Sequence, residues 1–115
     1  MKLMVYLAVG GVLGTLARYG LQGFAQPVSG TFPWGTLVVN LLGSFTLGFL
    51  MSYLVGSNVA TPEVRAATTV GFCGAFTTMS TFAYETVTLA SGGDYTRALW
   101  YLIASVLGSL SAVLA

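Results

Sequence analysis

Four apolar blocks, each long enough to cross a bilayer, occupy almost the whole of this chain. A membrane-spanning helix needs about 20 predominantly apolar residues. Blocks of that kind run from about residue 3 to 24, 34 to 55, 62 to 90 and 95 to 115. Of the 115 residues, 56% are hydrophobic, and the charged residues number only four basic and three acidic. A soluble domain carries about 25% charged residues, so lipid must be the solvent for most of this surface. Short segments of alternating polarity, the mark of a membrane barrel, are missing, and the backbone must satisfy itself as helices. The expectation is an all-α protein with a single four-helix transmembrane domain over residues 1–115, multi-pass in the cell membrane. Lys2 and the apolar run behind it read as the first span and not as a cleaved leader, because the run has full spanning length.

Ordinary active-site chemistry finds little material here. The chain has no histidine and one cysteine, Cys73, which removes the commonest proton shuttle and metal ligand and any internal disulfide. No nucleophile–base pair, zinc spacing or phosphate loop is visible, so the chain reads as no enzyme. No nucleic-acid partner is expected; the bilayer is the expected surroundings.

The links between blocks are short. Gln26-Pro27-Val28-Ser29-Gly30-Thr31-Phe32-Pro33 is a turn-rich link, with Pro33 opening the second helix and Trp34 at an interfacial position. Gly56-Ser57-Asn58 reads as a stop. Thr61-Pro62-Glu63 combines an N-cap hydroxyl, a first-turn proline and an acid at the positive end of the helix dipole. Asp94 reads as a cap for the fourth helix.

The third block is longer than a bilayer requires, and its middle is Gly71-Phe72-Cys73-Gly74-Ala75-Phe76-Thr77-Thr78-Met79-Ser80-Thr81-Phe82. Two glycines and paired β-branched threonines make a poor helix interior. Either a plain kink or a helix broken near residues 71–78 follows. A break would free backbone groups, and at membrane depth those must face protein, water or an ion. On the second block Thr36, Asn40 and Ser44 recur every fourth residue and share a face, as do Tyr101, Ser105 and Ser109 on the fourth. Such residues can serve as interhelical hydrogen-bond glue; two stripes beside a poor helix favour a polar pathway. Gly10 and Gly14 form a GxxxG pair suited to close packing.

With four spans, Lys2 and Arg65 fall on one side of the membrane and Arg18 and Arg97 on the other. That balance leaves the positive-inside rule nothing to act on. The chain should insert in both orientations, with an antiparallel homodimer as the natural product.

Three ordered motifs resemble those of the Fluc (CrcB) family of fluoride channels, and the likeness spans the chain. They are Gly10-Gly11-x-x-Gly14-x-x-x-Arg18-Tyr19, Pro33-x-Gly35-Thr36-Leu37-x-Val39-Asn40-x-x-Gly43-Ser44-Phe45, and the third-block run from Gly71 to Phe82. The resemblance implies a fluoride-selective channel that exports fluoride and prevents its toxic accumulation. It further implies an antiparallel homodimer with two pores and a structural sodium ion (Na+) at its centre, held by the backbone carbonyls of Gly74 and Thr77 from both subunits. Asn40 corresponds to the pore asparagine, and Met79 and Phe82 to the two positions of the family's phenylalanine box, the first of which departs from the usual aromatic. Thr36, Tyr101, Ser105 and Ser109 match the polar track, with Glu85 near one end, Ser80 and Thr81 on the pathway, and Arg18 at a vestibule. Composition and spacing by themselves reach only a small polar-lined channel or transporter. A small multidrug-type four-helix exporter is the alternative; it wants a carboxylate in the first helix, and no acid precedes Glu63.

Overall fold

The computed structural model describes residues 1–26, 32–54 and 61–114. The expected features at Pro27 to Thr31, Val55 to Asn58 and Ala115 lie outside the described residues. Most of the described residues are helical: α1 (Lys2–Ala25), α2 (Trp34–Leu54), α3 (Pro62–Ala66), a π-helical stretch (Ala67–Cys73), α4 (Gly74–Phe76), α5 (Met79–Ser91) and α6 (Tyr95–Leu114). The helices α1, α2 and α6 are long and apolar enough to cross a membrane. The bundle measures 50 × 26 × 20 Å, and its long axis matches a bilayer with its headgroups, about 40–45 Å.

The helix starts are built as the sequence predicts. Thr61 Oγ1 accepts from the Val64 amide at 3.2 Å, with Pro62 in the first turn. Asp94 Oδ1 accepts from the Arg97 amide at 3.4 Å and also pairs with the Arg97 guanidinium. One cap was not anticipated. The Gln26 side chain accepts from the Gly35 amide at 3.0 Å and donates to the Phe32 carbonyl at 3.0 Å, closing the start of α2 from the end of α1. These bonds occupy groups that a helix terminus leaves without partners.

Packing divides the elements into α1 against the third segment and α2 against α6, with α1 also touching α2. Glycine makes the first contact possible. A Cβ on Gly10 would collide with the Ala67 carbonyl, and one on Gly14 with the Phe72 carbonyl. The expected close-packing role of the GxxxG pair is therefore what the structure contains. Opposite them, the threonine hydroxyls loosen the helix. Thr68 donates to the carbonyls of Val64 and Arg65, and Thr69 to Arg65 at 2.6 Å; such back-bonding competes with regular helix geometry. Both threonines lie inside the widened stretch, which begins at Ala67.

One buried cluster joins Leu37, Phe82 and Tyr101, flanked by Phe32, Leu41, Leu89 and Ala104. Large apolar side chains such as Leu16, Phe24, Phe49, Trp100 and Leu110 point outward. In water this inside-out distribution would be a severe liability; in lipid it costs nothing.

Candidate functional site: a polar cavity beside an interrupted helix

Helical hydrogen bonding stops at Phe76 and resumes at Met79, with Thr77 and Thr78 in extended conformations (ψ 161° and 114°). Two side chains stabilise the gap. Thr78 Oγ1 caps α5 by accepting from the Thr81 amide at 3.3 Å, and it donates to Thr81 Oγ1 at 3.0 Å. Asn40, from the middle of α2, accepts at Oδ1 from the Thr78 amide at 2.8 Å and donates from Nδ2 to the Thr78 carbonyl at 3.2 Å.

These bonds have a consequence for the carbonyls. In an uninterrupted α-helix the Thr78 amide would close onto the Gly74 carbonyl, and the Thr81 amide onto that of Thr77. Here the first amide is directed to Asn40 and the second to the Thr78 hydroxyl. Gly74 lies on the exposed face, with nothing within 4 Å of where a Cβ would stand. Carbonyl oxygens released in this way are the donor type a hard cation takes, so Gly74 and Thr77 fit a sodium ion chemically. Among the described residues there is no cluster of three His, Cys, Asp or Glu side chains.

Next to the gap lies a cavity of about 410 Å³, lined among others by Asn40, Ser44, Gly74, Thr77, Met79, Phe82, Ser105 and Ser109. The two polar stripes thus meet across the α2–α6 contact. Ser105 Oγ is buried and has no hydrogen-bond partner among the described residues. A hydroxyl left unpaired away from water costs about 1–3 kcal/mol, so it stands ready for an acceptor or donor that enters the cavity. Phe82 is buried, with its ring centroid 5.1 Å from that of Tyr101. Met79 is on the rim and 74% exposed in the single chain.

The remaining predicted residues are not in this cavity. Thr36 and Tyr101, 1% and 0% exposed, lie outside it, with the Tyr101 ring against that of Phe82. Tyr101 donates to Glu85 Oε1 at 2.8 Å. Glu85 borders a second cavity of about 210 Å³ with Gln22, Gln26 and Tyr84. Thr81 is engaged in the α5 cap, and Ser80 faces outward. Arg18 lies about 10 Å along α1 from Ala25, at 1.5 Å per residue. There Nε donates to the Ala75 carbonyl at 3.0 Å, and Nη1 to Gln22 Oε1 at 3.4 Å.

Gln22 is the residue the sequence reading missed. Its Nε2 donates to Thr36 Oγ1 at 2.8 Å, which joins Arg18 on α1 to Thr36 on α2. A signal was present: Gln22 is four residues after Arg18 and so on the same helix face.

A helical, lipid-facing chain with polar groups gathered at an interrupted helix is an integral multi-pass membrane protein. Comparison with known sequences makes the class specific. The family described as "CrcB-like protein, Camphor Resistance (CrcB)" matches residues 5–115. A "Fluoride-specific ion channel FluC" of Methanopyrus kandleri is 51% identical over 109 residues, covering 94% of this chain and 81% of the relative. Proteins with the same description from Citrifermentans bemidjiense and Chlorobaculum tepidum are 45% and 43% identical, covering 96% and 98% of this chain and 90% of each relative. The chain belongs to the CrcB family.

Proposed function

We propose that this chain is the subunit of a fluoride-selective channel that lets fluoride leave the cell. The observation that carries the proposal is the cavity between α2, the interrupted segment and α6, in a chain whose relatives are described as fluoride-specific channels. Fluoride is a small, strong hydrogen-bond acceptor. Donors for it are at hand in the unpartnered Ser105 hydroxyl, in Ser109 and in the second amide hydrogen of Asn40. The positive edge of the Phe82 ring supplies a further, weaker site, and Met79 an adaptable apolar wall. Thr36, Tyr101 and Glu85 continue the route beyond Phe82, and Ser80, Thr81 and Arg18 belong to its approach.

The working unit in this proposal is an antiparallel homodimer with two pores and four spans per subunit, the third span comprising α3 to α5. The chain is 20 Å across its thinnest direction and its cavity is partly open, which suits a second copy as the missing wall. Balanced charges suit both insertions: Lys2 and Arg65 against Arg97 and the more deeply set Arg18. Sodium, held by the Gly74 and Thr77 carbonyls of both copies, would add a fixed positive charge where the two meet. Efflux from liposomes tests the reading: fluoride is expected to leave rapidly while chloride is retained. Equal release of both anions, or of neither, would overturn it.

A further inference from the structure

Thr77 is held from two directions. Its amide and its hydroxyl both donate to the Cys73 carbonyl, each at 3.1 Å. With the hydroxyl committed, the staggered geometry of a β-branched side chain leaves one place for the methyl. That place is a notch on α2 at Gly43, where an added Cβ would collide with Thr77 Cγ2 and stand 3.1 Å from Phe76 Cδ2. Asn40 precedes Gly43 by three residues on the same helix face and binds the Thr78 amide and carbonyl. One face of α2 thus holds both residues of the gap, Thr77 by shape and Thr78 by hydrogen bonds. The two residues share a peptide plane, and this peptide is trans. In a trans peptide the N–H and the C=O point in opposite directions. Because the Thr78 N–H is aimed at Asn40, the Thr77 carbonyl is aimed away from it.

We infer that Gly43 is a positioning residue: by receiving the Thr77 methyl it fixes the peptide plane between Thr77 and Thr78, and with it the direction of the Thr77 carbonyl. The inference rests on the proposed reading of that carbonyl as a sodium ligand in a fluoride channel. Asn40 alone fixes only the Thr78 end of the plane. The seat at Gly43 fixes the other end, so the carbonyl released by the gap keeps one orientation with no helical partner of its own. Any side chain at residue 43 would push Thr77 off the Cys73 carbonyl or tilt the plane against Asn40. Gly43 and Thr77 also border the same cavity as Asn40, so an added methyl has a second possible effect, narrowing of the cavity, which the test must separate.

The test exchanges one methyl group between the two positions. Gly43→Ala adds a methyl at the notch, and Thr77→Ser removes the one it would strike while keeping the hydroxyl. Fluoride efflux from liposomes should fall about tenfold or more in Gly43→Ala, as overpacking at the gap implies. Combining it with Thr77→Ser should bring the rate back to within about threefold of Thr77→Ser alone, because the added and removed groups occupy the same space. Combining it with Thr77→Val, which keeps a methyl there, should bring nothing back. Melting temperatures of the purified proteins should follow the same order. Sodium, titrated against N-methylglucamine at constant ionic strength, gives a readout apart from flux. It should raise the melting temperature of the parent, with half-maximal protection at about tenfold higher sodium in Gly43→Ala and near the Thr77→Ser value in the exchange variant. An exchange variant no better than Gly43→Ala in assembly, melting and flux would overturn the role of Gly43. Recovery of melting and sodium protection without recovery of flux would assign the flux loss to a narrowed cavity and overturn it equally. A parent that passes no fluoride would overturn the fluoride reading, and one indifferent to sodium the sodium reading. In either case the melting temperatures of the exchange set would still decide whether Gly43 seats Thr77.

Discussion

Asn40 grips the backbone of Thr78 from both sides, accepting from its amide at 2.8 Å and donating to its carbonyl at 3.2 Å. One side chain on α2 thus replaces the helical partners that Thr78 forgoes, and it is also the amide that lines the cavity. In the proposed channel, holding the gap open and facing the route are two uses of a single group. The Asn40→Asp variant retains the acceptor, loses the donor and places a negative charge where screening is weak. Fluoride efflux should fall at least a hundredfold, about 3 kcal/mol in barrier height. Unchanged flux in a folded Asn40→Asp dimer would remove Asn40 from the route.

The contact between α1 and the third segment predicts opposite outcomes for two glycines on one helix. Gly14→Ala would drive its Cβ into the Phe72 carbonyl. Overpacking of this kind costs about 1–3 kcal/mol. At Gly20 nothing lies within 4 Å, and Gly20→Ala should stabilise the helix by about 0.5–1 kcal/mol through lower backbone freedom in the unfolded chain. Thermal unfolding in detergent, the two variants side by side, reads the signs. Equal shifts in the same direction would contradict the close approach.

Much of this was legible in the sequence, for identifiable reasons. Helix positions followed from the length of the apolar blocks and from local caps at Thr61 and Asp94, which depend only on neighbours in the chain. The weakness of the third segment followed from Gly71, Gly74 and the threonine pair. Pairings between distant residues were not legible. Nothing in the spacing says that Asn40 would reach Thr78, that Arg18 would reach Ala75, or that Gln22 would join Arg18 to Thr36. Thr36 and Ser105 fall on polar stripes of equal appearance, yet one accepts a hydrogen bond from Gln22 and the other has a hydroxyl without a partner among the described residues. Partner identity is set by helix packing, and the hydropathy pattern carries no record of it.

Insertion in two orientations predicts that a tag at either terminus is found on both faces of the membrane. Cysteine labelling with a reagent that does not cross the membrane, at a residue introduced before Lys2, reports the orientation directly once Cys73 is replaced. Labelling of about half the molecules from each side is the expected result. Labelling from one side alone would exclude the antiparallel pair. Moving the balance by Arg97→Gln should then skew the ratio, because each basic residue near a span end contributes to orientation.

Met79 stands where the family resemblance leads one to look for a phenylalanine, and its side chain is 74% exposed on the single chain at the rim of the cavity. If a ring edge is needed at that position, Met79→Phe should raise fluoride flux. If the position needs only an apolar wall, the substitution should change the rate by less than about twofold, because the volumes are similar and methionine adapts its shape readily. The structure favours the second outcome. Phe82 already presents a ring to the cavity, and Asn40, Ser105 and Ser109 supply donors around it. A residue this exposed must also be covered by whatever closes the cavity, and there flexible packing matters more than a fixed ring. Met79→Ala separates a wall from a bystander. Removing the thioether would open a gap large enough for water, which needs about 10–15 Å³ of space and polar neighbours. Fluoride flux should then fall, or chloride should begin to leak, while the dimer stays intact. An alanine variant that matches the parent in both rates would show that residue 79 does not touch the ion.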